Sequence, residues 1–439
     1  MKQLYIVILM MFSTSFLTQA QDTQNNLLTL EDAIKIALDN NYSIKIARNE
    51  SEIADNNYTW GNAGFLPTVT ADYQRSYGNQ WFEQQRVTGD INSGDNVQSR
   101  RQSYGATLNW TVFDGLKMFT SYDQLAELNR QSDESLLASI EMLIYDITSA
   151  YYSAAQEKER LQSFTSNVGL SEERLQIAHD KYDLGKASKL EFLQAQVDLN
   201  TDKSSLVQQR ELLAVRKFEL LRLMAVDNDT IDFTLNYKLA NDRSLQLPLL
   251  LDNLEGQNRQ LLTLKRNQAI ALYNEKLAKG DLYPQVDLFA GYTHSSFETP
   301  SGFALNGNSN DVNYGITASW TLFNGLNVWR KTQNAKIQHE NSKLEYQNQL
   351  LDFQTTVKTT FINYQNNLDL LSLEEENLDV AKENNDIAQE RYNIGLSNAL
   401  ELRESQINLI NAEIRYQNAA FAAKQAEVQL KYLSGLLVE

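Results

Sequence analysis

The chain contains no cysteine. That excludes disulfides, thiolate metal sites, thiol catalysis and a lipidated N-terminal cysteine. Histidine is nearly as scarce. The three present, His179, His294 and His339, are spaced unlike any metal-ligand motif, and each is expected at the surface. No glycine-rich phosphate loop and no Gly-x-Ser-x-Gly nucleophile motif occurs. No catalytic residue, cofactor or metal is therefore expected. A basic surplus is also lacking. Lys and Arg number 39 against 56 Asp and Glu, a net charge of −17, which disfavours nucleic acid as a partner. Past the first twenty residues, no stretch stays apolar for the roughly 18 residues that a helical membrane span needs. Any membrane span must then be a β-barrel.

The apolar run at the start reads as a secretion signal over residues 1–20. Lys2 supplies the charge, Leu4 to Phe12 the apolar segment, and Thr18-Gln19-Ala20 the small-residue cleavage site. It is too short to span a bilayer. Proline is rare as well, with Pro67, Pro248, Pro284 and Pro300 the full set. Proline costs a helix interior about 3 kcal/mol. The proline-free tracts from Met118 to Ala240 and after Pro300, rich in Leu, Ala, Gln and Glu, predict long helices.

What is present is written twice. Tyr104-Gly105 recurs as Tyr314-Gly315, and Trp110-Thr111-Val112-Phe113-Asp114-Gly115-Leu116 as Trp320-Thr321-Leu322-Phe323-Asn324-Gly325-Leu326. Tyr182, Gly185, Glu191, Gln196 and Leu199 recur as Tyr392, Gly395, Glu401, Gln406 and Leu409, and every pair is 210 residues apart. Nearer the N-terminus, Asn41 matches Asn258 and Leu66-Pro67 matches Tyr283-Pro284, at an offset of 217. The seven-residue difference falls between Pro67 and Tyr104, where a loop is expected. The predicted organisation is residues 1–20 as signal, 21–225 as a first repeat, 226–252 as a connecting side segment with a strand-like run Ile231 to Leu235, and 253–439 as a second repeat.

Each repeat contains two stretches of period two. In the first, Val69, Ala71 and Tyr73 form one apolar row, and Ala106, Leu108, Trp110 and Val112 another. In the second, the rows are Val286, Leu288, Ala290 and Tyr292, then Ile316, Ala318, Trp320 and Leu322. Threonine, Asn, Asp and Ser fill the alternate positions, so each strand has one greasy and one wet face. The polar stretches 78–99 and 298–313 read as loops. Such a set fits a small sheet packed on helices. It also fits a membrane barrel, but known single-chain barrels begin at eight strands. Two chains would supply eight and three would supply twelve.

After each second strand, Gly115 or Gly325 allows a sharp turn, and Asp114 or Asn324 can cap the next helix. That helix is predicted from about Met118 to Lys181 in the first repeat, roughly 96 Å long. Leu136, Ile140, Leu143, Ile147, Ala150 and Ala154 are spaced 4-3-4-3-4, and Val357, Phe361, Tyr364, Leu368 and Leu371 are spaced 4-3-4-3. This is the spacing of helices packed nearly parallel. A short turn and a return helix complete a hairpin in each repeat.

In this order and duplication, the motifs resemble the TolC-type outer membrane efflux protein family. The resemblance rests on Leu28-Thr29-Leu30-Glu31-Asp32-Ala33, Ala37-Leu38-Asp39-Asn40-Asn41, Leu66-Pro67 with Tyr283-Pro284, both Phe-(Asp/Asn)-Gly-Leu turns, and both Tyr-x-x-Gly tips followed six residues later by Glu. It covers nearly all of the chain after residue 20. It implies an α+β membrane protein: a homotrimer whose twelve strands close one barrel in the outer membrane lipid, continued by a long helical coiled-coil barrel through the periplasm of a Gram-negative cell. The implied role is a passive exit duct for multidrug export or type I secretion. An inner-membrane pump of the RND or ABC type supplies the energy, and a periplasmic adaptor (membrane fusion) protein joins pump and duct.

The resemblance also implies sites. The adaptor-docking tips correspond to Gly185, Lys186, Ala187 and Ser188, with Gly395, Leu396, Ser397 and Asn398 in the second copy. Glu401 and Glu404 match carboxylates that ring the closed periplasmic aperture, and they lie one helical turn apart. Glu191 and Tyr392 match two members of a network that holds the aperture closed. Ser397 stands where the family has an arginine of that network, a departure for which Lys186, Lys189 and Arg391 are candidate substitutes. The competing reading is a pore-less periplasmic coiled-coil adaptor or scaffold. Adaptors carry one hairpin flanked by β-rich domains, whereas this chain has two hairpins and twin strand pairs.

Overall fold

The computed structural model describes residues 27–227, 233–299 and 305–437. The secretion signal lies outside them, as do Ile231 and Asp232 of the predicted strand-like run. In chain order the elements are β1 (Leu27–Leu28), α1 (Leu30–Asn40), α2 (Tyr42–Asn57), β2 (Thr68–Gln85), β3 (Ile91–Phe113), α3 (Lys117–Asp183) and α4 (Lys189–Met224). Then come β4 (Thr234–Leu235), α5 (Leu247–Gln257), α6 (Arg259–Gly280), β5 (Gln285–Glu298), β6 (Asn306–Ser319), α7 (Asn327–Asn393) and α8 (Ala399–Leu433). They form two compact units. Among the described residues, one comprises 27–39, 147–227, 233–240 and 373–421; the other comprises 40–146, 241–299, 305–372 and 422–437.

The sequence explains where the helices begin. The Thr29 hydroxyl oxygen accepts from the Asp32 N–H at 3.1 Å, capping α1. Asn41 then interrupts the helix and caps α2, its side chain accepting from the Ser43 N–H at 2.8 Å. Its twin Asn258 does the same for α6, accepting from the Leu261 N–H at 3.0 Å. Both long helices, α3 and α7, contain 67 residues and no proline, about 100 Å each. Each starts after two consecutive left-handed residues: Gly115 and Leu116 at φ +74° and +66°, and Gly325 and Leu326 at +68° and +64°. A Cβ on Gly115 would lie 2.5 Å from the Gly280 carbonyl oxygen, so glycine is required there for space as well as for φ.

In the second unit, β2, β3, β5 and β6 form one antiparallel sheet in the order β2-β3-β5-β6. The register brings the predicted apolar rows together. Val69 faces Leu108, Leu108 faces Ala290, and Ala290 faces Tyr314. Ala71, Ala106, Tyr292 and Val312 form the next row. Thr70, Thr107 and Asn313 belong to the opposite face, as do Asp72, Thr293 and Asp311. Among the described residues, β2 and β6 have no strand on their outer sides.

Two sequence expectations are corrected here. Most of residues 78–99 is strand and only 86–90 turns: β2 and β3 stay paired from Thr68 and Asn109 out to Gln85 and Ile91, with one irregularity between Gln80 and Phe82. Likewise β5 and β6 pair out to Glu298 and Asn306. Backbone pairing across a hairpin does not need apolar side chains, so polar, glycine-bearing segments extend the ladder beyond the greasy rows. The row Ile316, Ala318, Trp320, Leu322 is also cut short. β6 ends at Ser319, opposite Gln285, because the next residue on the partner side is Pro284, which has no N–H to continue the ladder. β3 runs on to Phe113 because β5 still pairs with it there. The twin tryptophans do matching work. Trp110 Nε1 donates to the Phe65 carbonyl at 2.8 Å and Trp320 Nε1 to the Leu282 carbonyl at 3.1 Å.

The second unit packs Leu250, Leu254, Leu261, Val357, Tyr364 and Leu430 into a core. In the first unit, Val168, Leu199 and Leu206 join α3 to α4, and Ala388, Tyr392 and Leu402 join α7 to α8. The side segment there reduces to a parallel pairing of β1 with β4, Leu27 opposite Thr234 and Leu28 opposite Leu235. The buried Tyr151 hydroxyl lies 2.8 Å from the Leu28 carbonyl and 2.7 Å from that of Asn236.

Candidate functional site

Both hairpin turns lie in the first unit and are built alike. Helix α3 ends with the Gly185 N–H donating to the Tyr182 carbonyl at 2.9 Å and the Lys186 N–H to the Lys181 carbonyl at 2.7 Å. Helix α7 ends with Gly395 donating to Tyr392 at 3.2 Å and Leu396 to Arg391 at 2.8 Å. This is the Schellman closure, with glycine in the left-handed conformation at φ +70° and +78°. Nothing lies within 4 Å of a Cβ built on either glycine, so backbone conformation alone demands them. The return helices are capped by Ser188 and Asn398, which accept from the N–H groups of the twins Glu191 and Glu401 at 3.2 and 2.9 Å. Around the turns, Leu184, Leu190, Ile394, Leu396 and Leu400 are all exposed.

Glu191 and Tyr392 are brought together. The Tyr392 hydroxyl donates to Glu191 Oε1 at 3.3 Å. Tyr392 is 1% exposed, packed with Ala388 and Leu402, whereas its twin Tyr182 is 39% exposed. Burial, and then the Glu191 carboxylate, push the Tyr392 phenol up to about 12. The cation beside this pair is none of the three that the sequence nominated. Lys181 Nζ donates to the Tyr392 carbonyl at 3.0 Å and lies 3.6 Å from the centroid of its ring. Arg391 instead holds Glu401, its Nε 3.1 Å from Oε1. The Ser397 hydroxyl is buried and has no hydrogen-bond partner among the described residues.

A second polar cluster escaped the sequence reading entirely. Arg174 on α3 is 1% exposed and donates to Asp198 on α4 at 2.8 Å. Arg403 on α8 reaches both oxygens of Asp202 on α4, at 2.7 and 3.0 Å, and lies 3.9 Å from Asp198. The Ser171 hydroxyl donates to Asp202 as well. Two guanidiniums and two carboxylates thus tie α4 to α3 on one side and to α8 on the other. On a helical wheel each is an ordinary charge. The missed signal lay in the repeat itself. At an offset of 210, Arg174, Asp198 and Asp202 become Asn384, Asn408 and Ala412, and Arg403 corresponds to Leu193. The cluster sits where the copies differ in charge. Its Arg174, Asp198 and Arg403 line an open groove of about 690 Å³, whose other lining includes Leu190, Ala195, Leu400 and Ile407.

Glu401 and Glu404 are both exposed on α8, and the buried Ser405 lies on the same side of the helix. With Arg391, Asn384 and Asn408 they line a second, mostly polar recess that also includes Ile387 and Ala388. Of the histidines, His179 is exposed, as expected. His294 is partly covered, its ring tilted 34° against that of Tyr104 with centroids 4.8 Å apart, and His339 is held 3.1 Å from Glu275 with its side chain 16% exposed. Among the described residues, no group of His, Asp and Glu is arranged to hold a metal.

A family model described as outer membrane efflux protein matches residues 33–226 and 250–436. The outer membrane efflux protein BepC of Brucella suis is 22% identical over 314 residues. Protein CyaE of Bordetella pertussis is 23% identical over 314 residues. Each match takes in 71% of this chain and 64% of the relative, so the chain spans less than two thirds of the curated relatives it matches. Among solved structures, the outer membrane channel CmeC of Campylobacter jejuni superposes with a TM-score of 0.78 at 17% identity, covering 93% of this chain and 86% of the other. The outer membrane protein VceC of Vibrio cholerae superposes with a TM-score of 0.75 at 16% identity, covering 92% and 96%. At these identities the structural likeness establishes the fold.

Proposed function

This chain belongs to the outer membrane efflux protein family, a family of channel proteins and not of enzymes, and we propose that it is the outer membrane exit duct of a tripartite efflux or type I secretion system. One observation carries the reading most: a four-stranded sheet with an apolar band across one face and two long strands, β2 and β6, without neighbours on their outer sides among the described residues. Open edges of that length demand partners. In lipid only a closed barrel satisfies them. Three copies joined β6 to β2 close a twelve-stranded barrel with lipid outside and water inside. Their long helices continue it as a periplasmic tunnel.

The hairpin turns are the docking surface for a periplasmic adaptor, which links the duct to an inner-membrane pump. The five exposed Leu and Ile side chains around Gly185 and Gly395 support this reading, because a solvated hairpin end has no use for them. The residues differ between the copies, Lys186-Ala187-Ser188 against Leu396-Ser397-Asn398, so the adaptor engages the two tips unequally. The Glu191–Tyr392 contact holds the aperture shut, and Glu401 with Glu404 forms an acidic ring at it.

The test is direct. The protein should fractionate with the outer membrane as a stable trimer and conduct ions in planar bilayers. A crosslinking scan of residues 184–190 and 394–400 should trap the adaptor. A soluble monomer overturns the duct. A conducting trimer whose tips trap no adaptor overturns the docking assignment alone.

A further inference from the structure

The apolar face of the sheet has two different ends. At the end joined to the helices stands Trp110, tied to the Phe65 carbonyl. Moving away along β3, the same face reads Leu108, Ala106, Tyr104, Gln102 and Arg100; along β2 it reads Val69, Ala71, Tyr73, Arg75 and Tyr77. The register sets Tyr73 beside Tyr104 and Tyr104 beside His294, an aromatic row. Arg75 comes one step beyond it, and Tyr77 beside Arg100 one step further. Both guanidiniums lie over the Tyr77 ring, at 5.3 Å for Arg75 and 5.4 Å for Arg100.

The depth of this cluster can be reckoned. Trp110 and Arg100 are ten residues apart on one strand, about 33 Å along it and about 25 Å along the membrane normal at the usual barrel tilt. That equals the height of a lipid-facing apolar band, about 25 Å. With tryptophan at one boundary, the arginines fall at the other. An arginine facing lipid is costly at mid-bilayer and nearly free at the headgroup level.

Charge at the cluster favours an anion. Among the described residues no carboxylate pairs with Arg75. Arg100 has Glu298 at 3.8 Å, with the two side chains 54% and 62% exposed, a loose surface pair that water screens. Arg101 points to the opposite, wet face beside Ser76 and Phe297. Two guanidiniums fixed over one tyrosine ring present several N–H donors toward the lipid, a donor set that suits phosphate. Apolar side chains lie below them, where acyl chains would run.

We infer that Arg75 and Arg100, spaced by Tyr77, bind the phosphate of an anionic lipid headgroup in the leaflet at the far end of the sheet from the helices. This rests on the barrel reading above, which makes that leaflet the outer one. The site pins the barrel at a fixed depth against its lipid.

The trimer, purified in neutral detergent, is mixed with lipid A, with its phosphate-free form, or with inorganic phosphate, and bound lipid is counted by native mass spectrometry. Lipid A should be retained and the phosphate-free form should not. Inorganic phosphate should compete weakly, lacking acyl chains. Arg75→Gln and Arg100→Gln should each weaken retention about fivefold and the double variant about 25-fold, while Glu298→Gln should strengthen it. Equal retention by the wild type and the double variant, or of the two lipid forms, overturns the inference and leaves the duct intact. A chain that forms no trimer overturns both.

Discussion

Arg403 on α8 reaches both carboxylate oxygens of Asp202 on α4, at 2.7 and 3.0 Å, between residues 201 positions apart in sequence. Both side chains are largely buried, at 15% and 8% exposed. Desolvation makes such a pair a weak source of net stability, yet removal of one partner strands the other charge. Asp202→Ala should therefore cost about 3–5 kcal/mol of local opening free energy. Hydrogen exchange in the first turns of α8 reads this out. Asp202→Leu with Arg403→Met should recover most of the loss. If the double variant opens as readily as the single, the pair is not what holds α8.

Tyr392 makes a weaker and differently charged contact. Its hydroxyl donates to Glu191 at 3.3 Å, a long bond, so Tyr392→Phe should cost about 1 kcal/mol. The pH dependence has a definite sign. The folded phenol is raised to about 12, above the ordinary tyrosine value of 10.0. Its contribution is then fully present below pH 10 and is lost as pH rises through about 12. Local exchange around α7 and α8 should be insensitive to Tyr392 ionisation at neutral pH. Between pH 10 and 12 it should rise in the wild type more than in Tyr392→Phe. Tyr151 and Tyr364 are raised to about 12 as well, so a global melting curve cannot isolate this residue.

Much of this architecture is legible in the chain because it depends on local rules. The paired caps Asn41 and Asn258, the twin left-handed turns and the period-two rows all derive from residue type and spacing. The sequence reading failed where the determinant was non-local. Residues 78–85 and 91–99 look like loop because they are polar, but each is held in a ladder by the other strand. His339 looks like a surface histidine on its helix, and Glu275, 64 positions earlier, half-buries it. The Lys181 contact with Tyr392 joins residues 211 positions apart, whereas the three candidate cations lay nearer the turn. Helical periodicity states which face is buried, but not which charge on another helix that face will meet.

The turn glycines offer a clean comparison. Gly185→Ala and Gly395→Ala each force a Cβ into left-handed backbone with nothing nearby to strike. The cost should be the conformational one, about 1–2 kcal/mol each. Gly115→Ala carries the same backbone penalty plus a 2.5 Å approach to the Gly280 carbonyl oxygen. It should be distinctly worse, with low trimer yield, while the tip variants assemble normally. Equal yields for all three would mean that the turn at Gly115 relaxes around the added carbon.

The acidic pair proposed to line the aperture is not symmetric. Arg391 lies 3.1 Å from Glu401, while Glu404 has no basic partner among the described residues. The guanidinium offsets part of the Glu401 charge, so a passing cation should feel Glu404 more. In single-channel recordings, Glu404→Gln should reduce cation selectivity and divalent-ion block more than Glu401→Gln does. The double substitution should abolish most of both. Arg391→Gln should act in the opposite direction, because it frees the Glu401 carboxylate and strengthens the ring. All these groups are exposed, so the effects should shrink as salt is raised from about 0.01 M to 1 M and the screening length falls from about 30 to 3 Å. Unchanged selectivity in the double variant would show that the six carboxylates of the trimer do not face the pore. A Glu401→Gln effect as large as that of Glu404→Gln would show that Arg391 lets go of Glu401 in the assembled duct.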